Sequence, residues 1–122
     1  MNYSDRLSRC RNDYPFSYWL EDYEEGIGRY SKDCCEMVES IFEGLIESLI
    51  NSGESETEVE KVRLFEGAVK RLNNIRQTNP ELIETMEREE FCELFDTIAL
   101  ASGVDPKNYG GGDGIASEWR GW

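Results

Sequence analysis

The chain has 122 residues, with 13 Lys and Arg against 26 Asp and Glu, a net charge of -13 and no histidine. That length fits one domain able to bury a core without disulfides or a metal. The charge argues against direct binding of nucleic acid or anionic lipid, and a His-free chain has no imidazole base or imidazole metal ligand.

The opening Met1-Asn2-Tyr3-Ser4-Asp5-Arg6 lacks the apolar core of a secretory leader. The longest oily stretch, 41–50, is interrupted by Glu43, Gly44, Glu47 and Ser48 and is too short to span a bilayer. A soluble, cytoplasmic protein is the expectation, with residues 1–12 loosely ordered. Cys10, Cys34, Cys35 and Cys92 show no C-x-x-C spacing, and neighbouring Cys34 and Cys35 cannot easily bridge each other, so free thiols are expected. Asp13-Tyr14-Pro15 starts an aromatic-rich segment, Phe16, Tyr18, Trp19 and Tyr23, which predicts one short helix before Gly26 with Phe16 and Trp19 inside.

Over 31–52 the apolar residues Cys34, Val38, Ile41, Phe42, Leu45, Ile46, Leu49 and Ile50 recur at three- and four-residue steps. This predicts an amphipathic helix capped by Ser31 or Asp33 and ended by Gly53. Ser55 precedes Glu58 at capping-box spacing, so a second helix is expected from there to about Arg76, with Val59, Val62, Phe65, Ala68, Val69, Leu72 and Ile75 as its stripe. Asn79-Pro80 restarts the chain. Leu82, Ile83 and Met86 then form an apolar face out of phase with Phe91, Leu94, Phe95 and Ile98, which predicts a short helix and a separate or kinked longer one to Ser102. The segment 103–114 reads as a Gly-rich loop, and Ile115, Trp119 and Trp122 could form a last turn, 115–122, that docks on the body. The expected fold is all-α, a compact single-domain bundle of about five or six helices.

Chemistry-bearing patterns are sparse. The loop Gly110-Gly111-Gly112-Asp113-Gly114 lacks the Lys and Ser or Thr of a phosphate-binding loop, and Lys107 falls where an EF-hand needs a carboxylate. Glu36-x-x-Glu39 and Glu90-x-x-Glu93 put acids on one helix face, as all-α nucleotide pyrophosphohydrolases do to hold magnesium. The second motif such enzymes need is missing, since Glu93-x-x-Asp96 overlaps one pair and lies far from the other. No catalytic, cofactor-binding or metal residues are expected. The charge pattern says more. Residues 13–60 hold fourteen acids against Arg29 and Lys32, residues 61–80 are net positive, and residues 81–96 hold seven acids against Arg88. Clustered like charges oppose folding by self-repulsion. In the first block they are interleaved with rings, which anchor interfaces while carboxylates steer a cationic surface onto them.

The string Gly112-Asp113-Gly114-Ile115-Ala116-Ser117-Glu118-Trp119-Arg120-Gly121-Trp122 resembles the ending of small all-helical immunity proteins of bacterial polymorphic toxin and contact-dependent growth-inhibition systems. The resemblance implies a cytoplasmic protein without enzymatic activity that binds one cognate toxin domain, often a nuclease, and blocks its active site. It carries no catalytic residues, and Trp119 and Trp122 are expected to dock the tail. Under this reading Glu21, Asp22, Tyr23, Glu24, Glu25, Glu36, Glu39 and Glu43 form the contact surface for a basic toxin domain. The rival readings are a nucleic-acid-mimicking inhibitor of a defence nuclease, the magnesium-dependent pyrophosphohydrolase, and a helical adaptor. Oligomeric state stays open.

Overall fold

The computed structural model describes residues 1–26 and 30–122, with Glu81 described in its backbone alone. Arg29, counted in the first acidic block, lies outside the described residues. The protein is all-helical, with α1 (Tyr3–Arg9), α2 (Phe16–Glu24), α3 (Lys32–Ser52), α4 (Glu58–Thr78) and α5 (Thr85–Ser102) joined by short 3-10 turns. Among the described residues four helices reach nine residues or more, α2 to α5, and α1 is a shorter two-turn piece, so the expected five or six helices is slightly off.

The longest two helices form a hairpin, α3 against α4. Ser31 caps α3 by accepting the Cys34 N–H at 3.3 Å, and Gly53, at φ 87°, ends it in a conformation that disfavours any side chain. Its buried stripe is Cys35, Val38, Ile41, Phe42, Leu45, Ile46 and Leu49; Cys35 rather than Cys34 faces the core. Thr57, not Ser55, caps α4, its hydroxyl accepting the Glu60 N–H at 3.3 Å. A turn from Gly53 to Glu56 occupies the residues that a Ser55 cap would have needed.

The buried stripe of α4 starts at Lys61 and leaves Val59 exposed. The Lys61 ammonium donates at 2.8 Å to the carbonyls of both Glu54 and Ser102 and lies 5.0 Å from the Tyr3 ring centroid. Those carbonyls close the negative ends of α3 and α5, so helix dipoles and a ring hold this buried charge in place of a carboxylate. The N-terminal segment, expected to be loosely ordered, carries α1 and the Cys10–Asp13 turn: Asn2 caps α1 through the Asp5 N–H, and Tyr3, Leu7 and Cys10 face inward at helical spacing.

After the Pro80–Leu82 turn, α5 opens with a capping box in which Glu84 and Glu87 bond each other's backbone. This places Glu87 inside and leaves Met86, expected on an apolar face, 67% exposed. All four cysteines are free.

Rings fill the centre. Phe42 is fully buried, with the centroids of Tyr14, Phe16, Phe91 and Phe95 at 6.4, 6.0, 5.7 and 4.8 Å. Trp19 stacks on Tyr30 at 4.3 Å and meets Phe16 and Phe91 edge-on. At the other end of the chain Trp122 is buried edge-on to Phe91, and Asn73 grips the tail by bonding Trp119 O and Gly121 N. The glycine-rich segment is tightly turned: Ile115 N donates to Asp96 and Gly110 N to Glu118. At Gly114, φ 119°, an added Cβ would stand 2.8 Å from the Asp96 carboxylate.

Removing the Phe42 ring should therefore lower the free energy of unfolding by ~3–5 kcal/mol, the range for Phe→Ala in a packed core. Met86→Ala should change it by less than ~0.5 kcal/mol. Urea denaturation of the two variants beside the parent checks both.

Candidate partner-binding surface

The short helix α2 follows Pro15, and its inner face is fixed by Phe16, buried, and Trp19, half-buried. Leu20 is also partly buried against the core, and the positions after it point outward. Glu21, Asp22 and Glu24 occupy its last turns, Glu25 is its C-cap, and all are exposed. Tyr23 among them is 47% exposed and Tyr18 68%. The last turn holds no basic residue. Carboxylates at a helix C-terminus face the negative end of the dipole, a penalty of ~0.3–1 kcal/mol each at exposed sites, added to their mutual repulsion. Among the described residues, no basic side chain pairs with these four acids.

The acids of α3 are placed differently. Glu36 is exposed, 4.0 Å from Lys32 one turn away, and Glu39 is half-buried. Glu43, expected in the contact surface, is engaged internally: Arg11 Nε and the Tyr14 hydroxyl both donate to its Oε1 at 2.8 Å, while Arg11 also reaches Glu47 at 2.7 Å. Burial pushes the Glu43 carboxyl up, but the hydrogen bonds from Arg11 and Tyr14 and the guanidinium charge outweigh it and hold it below the usual carboxylate range. Tyr14 is raised far above an ordinary phenol by burial first, then by its bond to the Glu43 carboxylate and that charge. Glu43 thus fastens the Cys10–Asp13 turn and the chain before α2 onto α3.

A cleft of about 340 Å³ opens where that turn and the start of α2 meet α5, with Asp13, Tyr14, Tyr18, Glu90, Glu93 and Leu94 in its wall. Sequence reasoning noted Glu90 and Glu93 only as a possible metal pair. Their spacing with Leu94 is a helix-face signal, but the partner wall comes from residues about 75 positions earlier in sequence and has no local signature. Burial raises the Glu90 carboxyl above its usual range, the Glu87 and Glu93 charges add to this, and a hydrogen bond from Trp19 opposes it. Among the described residues, no three Cys, Asp or Glu side chains converge to hold a metal ion, and no helix is long and apolar enough to cross a membrane.

No protein-family model, curated protein or solved structure matches this chain.

Two carboxylates should respond to pH with opposite signs. Glu43 titrates lower folded than unfolded, so its stabilisation is complete above the unfolded value of ~4.3 and is lost as pH falls through the folded one. Glu90 titrates higher folded than unfolded, so ionising it opposes folding at neutral pH, an opposition that ends once pH is below the unfolded value. Glu43→Gln should lower stability at pH 7, by about 1 kcal/mol or less given its exposure, and Glu90→Gln should raise it. Both differences should shrink toward pH 3 in urea denaturation.

Proposed function

We propose that this protein is an immunity protein: a cytoplasmic, non-enzymatic inhibitor that binds one cognate bacterial toxin domain, a basic nuclease, through the acidic outer face of α2. The observation that carries this reading is the cluster of Glu21, Asp22, Glu24 and Glu25 at the negative end of a helix whose last turn has no basic residue, with Tyr23 exposed among them. Acids held where they oppose the fold suit a charge that meets a partner. Glu36 and Glu39 extend this surface on α3, and Glu43 supports it from within.

The chemistry is complementary. A nuclease cleft is lined with Lys and Arg to hold phosphates, and carboxylates on a rigid helix can occupy the same cationic positions. Charge steering lifts association toward ~10⁸–10⁹ M⁻¹s⁻¹ at low salt, which suits an inhibitor that must reach the toxin before RNA or DNA does. A standard interface of ~800 Å² per partner is a small part of the 6820 Å² surface of this protein. The resemblance of residues 112–122 to immunity-protein endings supports the same class, with Trp122 serving to pack that tail.

Co-expression with a panel of basic toxin nuclease domains should rescue growth against one of them. For that pair, replacing Glu21, Asp22, Glu24 and Glu25 together by Lys should slow association about tenfold or more in stopped-flow at low salt, and added salt should narrow the gap. An unchanged association rate would contradict the assignment of the surface. Rescue against no domain, with capture of many unrelated DNA-binding proteins instead, would favour a nucleic-acid mimic.

A further inference from the structure

The cleft between the Cys10–Asp13 turn, the start of α2 and α5 carries three carboxylates, Asp13, Glu90 and Glu93, from two separate parts of the chain. It also carries two tyrosine rings, and among the described residues no Lys or Arg is in its wall. The contrast with the rest of the protein is informative. Glu43, Glu47 and Glu54 each face an arginine within 2.8 Å, whereas the part-buried Glu90 carboxylate is met by the Trp19 indole alone and its Oε2 has no donor among the described residues. The cleft is concave and already shaped, and among the described residues no cation faces its carboxylates.

We propose that this cleft seats one arginine side chain of the protein partner, with its guanidinium on the Glu90 carboxylate and against the Tyr18 ring, and with Asp13 and Glu93 adding negative charge from the same wall. The proposal deepens the partner-binding reading above and rests on it for the source of the arginine. A guanidinium fits better than an ammonium for three reasons. Its planar fork offers five donors and can serve several carboxylates at once. It stacks on aromatic faces, and Tyr18, 68% exposed, presents one at the rim. Its methylene stem needs apolar cover, which Leu94 and Pro15 supply in the same wall. Glu90 is approached by the Trp19 indole N–H, so the acid is oriented by the aromatic core and not by solvent. Tyr18 precedes Asp22 by one helical turn, which makes the cleft continuous with the acidic end of α2. Steering by α2 would thus deliver the partner to a pocket that anchors it.

The test uses the full chain and no toxin. N-acetyl-arginine amide is titrated into ¹⁵N-labelled protein, with the Trp19 indole and the Tyr18 and Thr97 amides as readouts. Saturable shifts at those sites in the millimolar range are expected. Glu90→Gln should weaken binding about tenfold, and Tyr18→Ala, at an exposed site that leaves the core intact, about threefold. N-acetyl-lysine amide should bind more weakly and the neutral N-acetyl-citrulline amide not at all. Shifts scattered over all acidic segments, equal binding of citrulline, or unaltered affinity of the Glu90 and Tyr18 variants would overturn the proposal. Because no partner is present, arginine binding at the cleft upholds the site even where toxin rescue fails. Rescue without arginine binding removes the site and leaves the immunity reading standing.

Discussion

Phe42 decides where everything else can sit. Its ring touches side chains from the residues leading into α2, from α2 itself and from α5, and it is carried by the longest helical hairpin of the protein. Through Phe91 the same contact network reaches Trp19 on one side and Trp122 on the other. Each aromatic pair adds only ~0.5–1.5 kcal/mol beyond its buried area, but the network leaves α2 a single way to lie on the body. Phe16 and Trp19 point in, and the acids at the end of the helix point out.

Against that rigid core stands a net charge of -13. Three of the scarce cations tie separate segments together. Arg6 pairs with Glu54, Arg11 joins Glu43 and Glu47, and Lys61 closes the carbonyl ends after α3 and at α5. Asp96 and Glu118 fix backbone N–H groups of the glycine-rich segment, a structural use of carboxylates that needs no cation. These acids are accounted for by the fold. Those on the last turns of α2 have no cation partner among the described residues, and they lie on a surface with exposed tyrosines. The division between acids that hold the protein together and acids that face outward is what gives the partner-binding reading its physical content.

Much of this architecture was legible as periodicity. The stripes of α3 and α5 and the short aromatic helix follow from apolar spacing, because packing against a common core imposes that spacing. Failures cluster where one polar side chain overrode a local rule. Ser55 and Thr57 both stand three residues before a glutamate, and only the turn from Gly53 to Glu56 selects the later cap. Lys61 took the first core position of α4 from Val59 because its amine could reach two helix ends distant in sequence. The Glu84–Glu87 capping box turned Met86 outward. The first helix was hidden because its inward residues, Tyr3, Leu7 and Cys10, are few among polar neighbours. In the surface, the α2 acids were readable from composition. The internal role of Glu43 and the cleft beside Glu90 were not, since each depends on a contact between segments far apart in the chain.

The most direct measurement is carboxylate footprinting, in which carbodiimide-driven amidation is compared by mass spectrometry for the protein alone and bound to a basic toxin domain that the proposed immunity function calls for. Strong protection at Glu21, Asp22, Glu24 and Glu25, with the first turn of α4 (Glu58 and Glu60) labelled equally in both states, is the expected result. Protection centred on α4 with the α2 acids still fully reactive would contradict it, because the charge set apart by the fold would then not be the charge the partner meets.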